Sequence, residues 1–406
     1  MSPRPALVLL RDRRFGTFFF GKTLSLAGLW SHNVIAAVLA YQLTGSVLYV
    51  GLVSVVQFGP QLLFVGASGV AADRGDRRLQ IILGRLVCTA GSAALGVWCL
   101  LDGSDGPVGR VMILAASLVM GMGLVLGGPA LLAIVPALVR EAEIPTAVRL
   151  DSLPMLVGRS TGPALGALLI AWSGPGAALF VAAATNVLFS AVVAVLRVDE
   201  PEERDPEADN SMRVAVQYVR RERRMGLILL GIVTIGVAAD PALTLAPAIA
   251  EAAGGDTATV GIFASAFGIG AALGVVVMGP LERWFGRSQL VAGGLCVLGA
   301  ATAVLALSPP IAVLVGAFAF AGAGMSVALT SLTTLLQVAV PDSLRGRVMS
   351  LWLACFVGSR PIAALLNGAL ADVFSVPVAL VIAAALVAVT AWACRPAKMR
   401  GSQREC

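Results

Sequence analysis

The 406-residue chain has one histidine, two lysines against 27 arginines, six cysteines and only 13% charged residues. Each shortage excludes something. A single histidine leaves little scope for acid–base catalysis, and there is no Walker loop, HExxH helix, Cys/His metal cluster or Ser/His/Asp arrangement. The chain is therefore read as a non-enzyme with no cofactor and no metal, and ATP hydrolysis is not expected of it. The cysteines show no CxxC spacing and five of the six fall inside apolar runs, so they read as unpaired thiols. Soluble domains carry roughly 25% charge. A chain with 58% hydrophobic residues and a mean hydropathy of +0.90 is not a water-soluble globule. The 45 glycines and 21 prolines sit among Leu, Val and Ala rather than polar residues, which excludes disorder as well.

What is present is a series of apolar runs long enough to cross about 30 Å of hydrocarbon at about 1.5 Å per residue. Twelve are counted, at 15-42, 46-72, 79-101, 110-138, 147-173, 177-197, 225-251, 258-279, 289-307, 311-339, 347-373 and 376-394. They are helices, because backbone in lipid must satisfy its own hydrogen bonds and the short alternation of a barrel strand is missing. The first run follows Arg4, Arg11, Arg13 and Arg14 and mimics a signal peptide, but it is too long for one. Alternate loops hold 24 cations on one side and one, Arg110, on the other. The positive-inside rule then places both termini in the cytoplasm, with the chain in a bacterial inner membrane. In such a protein the net charge of +6 speaks of topology and lipid contact rather than of nucleic acid.

The single long polar segment divides the runs six and six. The expected organisation is an N-terminal bundle (1-197), a cytoplasmic linker (198-224), a C-terminal bundle (225-394) and a tail (395-406). Within the linker, Met212, Val216 and Val219 recur at helical spacing with Arg213, Arg220 and Arg221 elsewhere around the wheel. This suits either a helix lying on the membrane surface or a plain solvated connector. The halves resemble each other at an offset near 200 residues. Gly69 to Arg78 follows the second run as Gly279 to Arg287 follows the eighth, and Arg159 and Arg360 stand at matching depths. An all-α membrane protein with twelve transmembrane helices in two pseudo-symmetric six-helix bundles is the parallel-repeat plan of a transporter.

The loop Gly69, Asp73, Arg74, Arg77, Arg78 resembles the GxxxDRxGRR signature of the major facilitator superfamily, with Asp76 in place of the second glycine. The second copy keeps Gly286 and Arg287 but has Arg283 where the acid would stand. Arg149-Leu-Asp151, Arg159-Ser-Thr-Gly162-Pro163 and Arg345-Gly346-Arg347 are further matches, and together they resemble the drug-efflux and siderophore-exporter (transmembrane secretion effector) branch. The resemblance implies that these motif residues latch the cytoplasmic face and are released each cycle. Charges that merely set topology are the plainer reading. Asp73 is expected to face a helix N-terminus, and Arg77 and Arg78 lipid phosphates or carboxylates of the other half. Gly158, Gly162 and Gly166 line one helix face for close approach, and Pro163 adds a kink.

Counting from the cytoplasmic ends puts Arg159, Arg360 and Asp240 about 18 to 23 Å deep. Isolated charges there cost at least about 2.5 to 3.5 kcal/mol, so each needs a partner or a wet cavity. Asp240 is the one acid at that depth, with two arginines available. It is either a proton carrier whose attraction to Arg159 or Arg360 changes through the cycle, or a permanent salt bridge. Arg360, with Asn367 two turns further along, favours a ligand with acceptor groups or else merely compensates Asp240. Lys22 is placed to snorkel toward the cytoplasm. His32 is either a proton relay or a packing residue. The expected function is export of a small organic molecule, such as a drug, antibiotic, siderophore or other secondary metabolite, by proton antiport with alternating access. The partners are then substrate, protons and membrane lipid, and a single chain suffices. A lipid or metabolite transporter of the same fold is the alternative, and a non-transporting receptor or scaffold a more distant one.

Overall fold

A computed structural model describes residues 5–101, 106–196 and 212–395; within these, the side chains of 65–74, 212–215, 221, 223, 342–343, 345–347 and 350 fall outside the description. Helices account for nearly all of it, and no strand occurs among the described residues. In order they are α1 (Ala6–Leu10), α2 (Phe15–Thr44), α3 (Val47–Arg74), α4 (Arg77–Leu101), α5 (Pro107–Ala133), α6 (Ile144–Asp151), α7 (Leu153–Val195), α8 (Met212–Arg221), α9 (Arg223–Ala239), α10 (Ala246–Ala252), α11 (Thr257–Trp284), α12 (Arg287–Ala306), α13 (Ile311–Ala339), α14 (Asp342–Val373) and α15 (Val376–Ala393). Eleven stretches are long and apolar enough to cross a membrane. One of them, α7, holds two helices joined across Gly174, whose φ of 78° and ψ of 168° are non-helical, so twelve spans result.

The seventh span departs from the expected single helix over 225-251. After α9 the chain makes a short 3-10 turn at Asp240–Ala242, and α10 starts only at Ala246. Pro241 explains the break: it has no N–H to give the ladder and its ring clashes with the preceding turn. The carbonyl of Asp240 takes up the slack, accepting from the N–H groups of Leu243 (2.8 Å) and Thr244 (3.1 Å).

The helices gather into two compact units. Unit 1 comprises Met1–Gly45, Val56–Arg204 and Asp256–Ser265; unit 2 comprises Ser46–Val55, Asp205–Gly255 and Ala266–Cys406. In unit 1, α4 lies against α5 so closely that a Cβ on Gly84 would sit 2.7 Å from the carbonyl oxygen of Gly123 and from the N of Gly127. In unit 2, a Cβ on Gly294 would sit 2.8 Å from the carbonyl oxygen of Gly324. Gly121 faces the backbone of Gln57 on α3, and Gly322 faces the backbone of Phe267 on α11. Paired small residues thus solve the same packing problem in both halves of the sequence, at the spacing the repeat requires. Around the start of α2, Phe15, Phe18, Ile81, Ile134, Phe189 and Val193 form a fully buried apolar core.

Candidate transport site

Most polar side chains within the spans are hydrogen-bonded inside one unit. In unit 2, the break in the seventh span presents the Asp240 carboxylate. Its Oδ1 accepts from the Thr244 hydroxyl (2.9 Å) and its Oδ2 from the Asn367 amide (2.9 Å), which also donates to the carbonyl of Val237 (3.3 Å). Arg360 on α14 lies near enough to attract the carboxylate. Its guanidinium stands 5.9 Å from the centre of the Phe356 ring, which stacks on Trp352 at 5.5 Å. Trp352 Nε1 donates to the Thr333 hydroxyl (3.0 Å). Asp240, Asn367 and Arg360 are therefore neighbours. The sequence reading missed Thr244, although a hydroxyl one turn after an intramembrane acid was visible.

In unit 1, Arg159 is stacked over Trp30, 5.1 Å from the ring centre. Lys22 is 4% exposed and gives its ammonium to both oxygens of Asp151 at 2.6 and 2.8 Å. This corrects the expectation that Lys22 snorkels to the interface: a carboxylate within reach offers a better partner than a climb to water. It also puts Asp151, expected in the latch, into an ion pair with α2. Arg85 is 5% exposed, stands 5.6 Å from the centre of the Phe189 ring and repels Lys22. Fully buried His32 shares a 3.0 Å hydrogen bond between its Nδ1 and the Ser92 hydroxyl, and its Nε2 has no hydrogen-bond partner among the described residues. Asn33 accepts from the Gln57 amide (2.8 Å), and Asn186 from the Ser25 hydroxyl (2.8 Å).

The motif residues that are described make local contacts. Arg77 donates to the carbonyl of Ala133 (3.2 Å), at the end of α5. Arg78 donates to the carbonyls of Val193 (3.3 Å) and Ala194 (2.5 Å), at the end of α7. These contacts neutralise helix C-termini within unit 1, where orphan carbonyls and the negative dipole end welcome a cation. Asp76, the departure from the signature, accepts from the N–H groups of Arg78 (2.8 Å) and Leu79 (3.2 Å), so it caps α4. Gly286 is the N-cap residue of α12, and Arg287 pairs with Glu282. Arg149 is exposed and its carbonyl accepts from the Ser152 hydroxyl (2.7 Å). Gly158, Gly162 and Gly166 all face α2, where the Ser31 hydroxyl donates to the carbonyl of Gly162 (2.6 Å). The carbonyl of Pro163 and the side chain of Ala167 instead meet Gly261 on α11. Gly69, Asp73, Arg74, Arg345, Gly346 and Arg347 lie outside the residues whose side chains are described.

Twelve apolar helices in two repeated sets, with ionisable groups deep in the spans, are the build of a polytopic membrane transporter. A family model described as transmembrane secretion effector matches residues 5–405, and the chain belongs to that family. It is 29% identical over 361 residues to the enterobactin exporter EntS of Salmonella typhimurium, covering 88% of this chain and 85% of that one. The enterobactin exporter EntS of Escherichia coli O1:K1 is 28% identical over the same shares. Among solved structures, the nucleoside transporter NupG matches with a TM-score of 0.79 at 11% identity, covering 94% of this chain and 98% of its own. A bacterial homologue of the human lysosomal transporter Spinster matches at 0.74 with 15% identity, over 96% and 98%. These structural likenesses carry the fold. The family and its relatives are transporters, not enzymes.

Proposed function

We propose that the chain exports a small organic molecule across the bacterial inner membrane by proton antiport, with both termini cytoplasmic and the two six-helix halves alternating access. The exported class is a siderophore-like or related secondary metabolite bearing carboxylate, phosphate or other acceptor groups. The similarity to exporters named for enterobactin supports the direction and the class. The observation that carries the coupling is Asp240, a carboxylate at a break in a membrane helix, held by two neutral partners with an arginine beside it.

The chemistry of that arrangement suits a group that changes charge. A hydroxyl such as that of Thr244 donates to a carboxylate and can accept from a carboxylic acid, so a proton can arrive without stranding a buried polar group. Arg360 favours the charged form of Asp240 through attraction, whereas desolvation opposes it. An anionic or acceptor-rich substrate that engages Arg360 weakens that attraction and eases proton uptake, and departure of the substrate reverses it. Substrate and proton are then linked through one arginine, and by reciprocity each changes the affinity for the other. Arg159 over Trp30, Lys22, His32 and Asn367 complete the assigned pathway, and the loop residues of the signature act in conformational change.

Proteoliposomes with an imposed pH gradient and radiolabelled enterobactin as probe test the reading. Asp240→Asn is expected to abolish proton-driven uptake, by tenfold or more, while downhill exchange of the probe persists. Undiminished gradient-driven flux in Asp240→Asn removes Asp240 from the mechanism.

A further inference from the structure

We infer that Asp372, at the end of α14, is a conformational latch that ties the start of α3 to unit 2 by capping it, and that its release frees that helix end during transport. The first backbone donors of a helix have no partner of their own and are usually satisfied by a residue just upstream. This protein follows that habit at α2, where Asp12 accepts from the N–H groups of Arg14 (2.8 Å) and Phe15 (3.2 Å). It does so at α4 through Asp76 and at α11 through Asp256, which accepts from the Thr259 N–H (3.0 Å). At α3 the cap comes from the far half of the sequence. The Asp372 carboxylate accepts from the Val47 N–H (2.8 Å), the Leu48 N–H (3.1 Å) and the Ser46 hydroxyl (2.5 Å), across 324 to 326 residues of chain. Ser46 Oγ in turn accepts from the Tyr49 N–H (3.1 Å). The first turn of α3 is thereby fully paired, and two of its three donors depend on Asp372.

The backbones beneath this cap are in close contact. A Cβ on Gly368 would lie 2.7 Å from the Cα of Leu48, and Gly51 faces the carbonyl of Ala364. Ser46–Val55 accordingly groups with unit 2, whereas α3 from Val56 onward groups with unit 1. One helix thus belongs to both units, and the joint within unit 2 is a small-residue contact closed by one charged cap. A carboxylate on a helix N-terminus is an oriented, water-accessible bond that breaks as a unit when the helix moves away. The exposure of Asp372 lets water replace the lost bonds, so the joint can open and close. This inference rests on the proposed function, in which the two halves alternate access.

The test reads geometry and does not depend on proton coupling. Spin labels at Leu101→Cys and Phe374→Cys, in a background with the native cysteines replaced by serine, report the distance between the ends of α4 and α14 by pulsed electron resonance. Labels at Leu101→Cys and Trp172→Cys, both in unit 1, serve as a control. Asp372→Ala is expected to raise the ratio of long to short distances in the first pair about five- to thirtyfold, the factor that about one to two kcal/mol of lost capping represents. Asp372→Asn, which keeps one acceptor, is expected to fall between, and the control pair to stay unchanged. An unaltered first pair overturns the latch, and so does a change shared equally by both pairs, since that marks Asp372 as an ordinary fold-holding cap. Loss of proton-driven flux in Asp240→Asn leaves this outcome untouched, so the two ideas fail separately.

Discussion

At the scale of single residues, the interior of this protein is organised by pairs. Lys22 and Asp151 are each a liability alone in a membrane span, and together they satisfy each other at 2.6 Å. Removing one partner strands the other charge, which costs on the order of 3 to 5 kcal/mol, whereas replacing both with apolar residues of similar size is close to neutral. Asp151→Leu is therefore expected to lower the melting temperature of the detergent-solubilised protein sharply, and Lys22→Met/Asp151→Leu to recover most of the loss. A double variant no more stable than Asp151→Leu would show that the pair is not what couples α2 to α6. Arg360 invites a different measurement. If it takes acceptor groups of the substrate, Arg360→Ala weakens binding of an anionic probe by roughly ten- to a hundredfold, as loss of a charge-assisted bond of about 1.5 to 3 kcal/mol does, and leaves a neutral probe unaffected. Isothermal titration with matched anionic and neutral probes separates the two. Equal losses would make Arg360 only a counter-charge for Asp240.

At the scale of elements, helix ends and helix contacts decide the shape. Asp256 sits before α11 with the Thr259 N–H and hydroxyl both donating to it, and these bonds hold its carboxyl below the usual carboxylate range. A depressed value means that the cap contributes fully above the ordinary carboxylate pKa of about 3.9 and fades as pH falls through the lower folded value. Asp256→Ala is expected to cost about 0.5 to 2 kcal/mol from pH 5 to 8, and the gap to the unsubstituted protein to close in more acidic buffer. A gap that widens toward acid would contradict the cap. The α4–α5 and α12–α13 contacts make a matched pair. Gly84→Val and Gly294→Val both drive a branched side chain into a facing backbone, so both are expected to reduce the yield of folded protein severely, and to similar extents.

The same elements show what the amino-acid order disclosed and what it hid. The spans were legible because lipid demands about 20 apolar residues wherever it is crossed, and Asp240, Arg159 and Arg360 were legible because charge is rare there. The break at Asp240 was half legible, since Pro241 is local but the bonds from Thr244 and Asn367 that stabilise the broken geometry are not. Asp76 looked like a blemish in a signature and proves to be a cap, a role its neighbours could have announced. Lys22 with Asp151, 129 residues apart, and Asp372 with Val47, 325 apart, were invisible because no periodicity encodes which distant helix supplies a partner.

At the scale of the whole molecule, the two units do not coincide with the two halves of the sequence. The first turns of α3 belong to unit 2 and the first turns of α11, Asp256–Ser265, to unit 1. The exchange is reciprocal, because Thr257 accepts from the Gln42 amide (3.5 Å) and Gly261 meets Ala167 and the carbonyl of Pro163, as Gly368 and Asp372 meet Leu48 and Val47 in the other unit. Each half of the chain therefore completes the other, and neither should be self-sufficient. A fragment ending at residue 197 leaves the α3 start without its cap and without the glycine surface of α14. A fragment beginning at residue 212 leaves the start of α11 without α7. Expressed separately, the fragments are expected to be degraded or to aggregate, whereas co-expressed fragments are expected to co-purify as a one-to-one complex. Asp372→Ala should weaken that complex, measured as a higher fraction of lone fragments at equal expression, since the cap then joins two polypeptides. If the first fragment alone purifies as a stable, monodisperse species, the exchange of helix ends contributes little to holding the protein together.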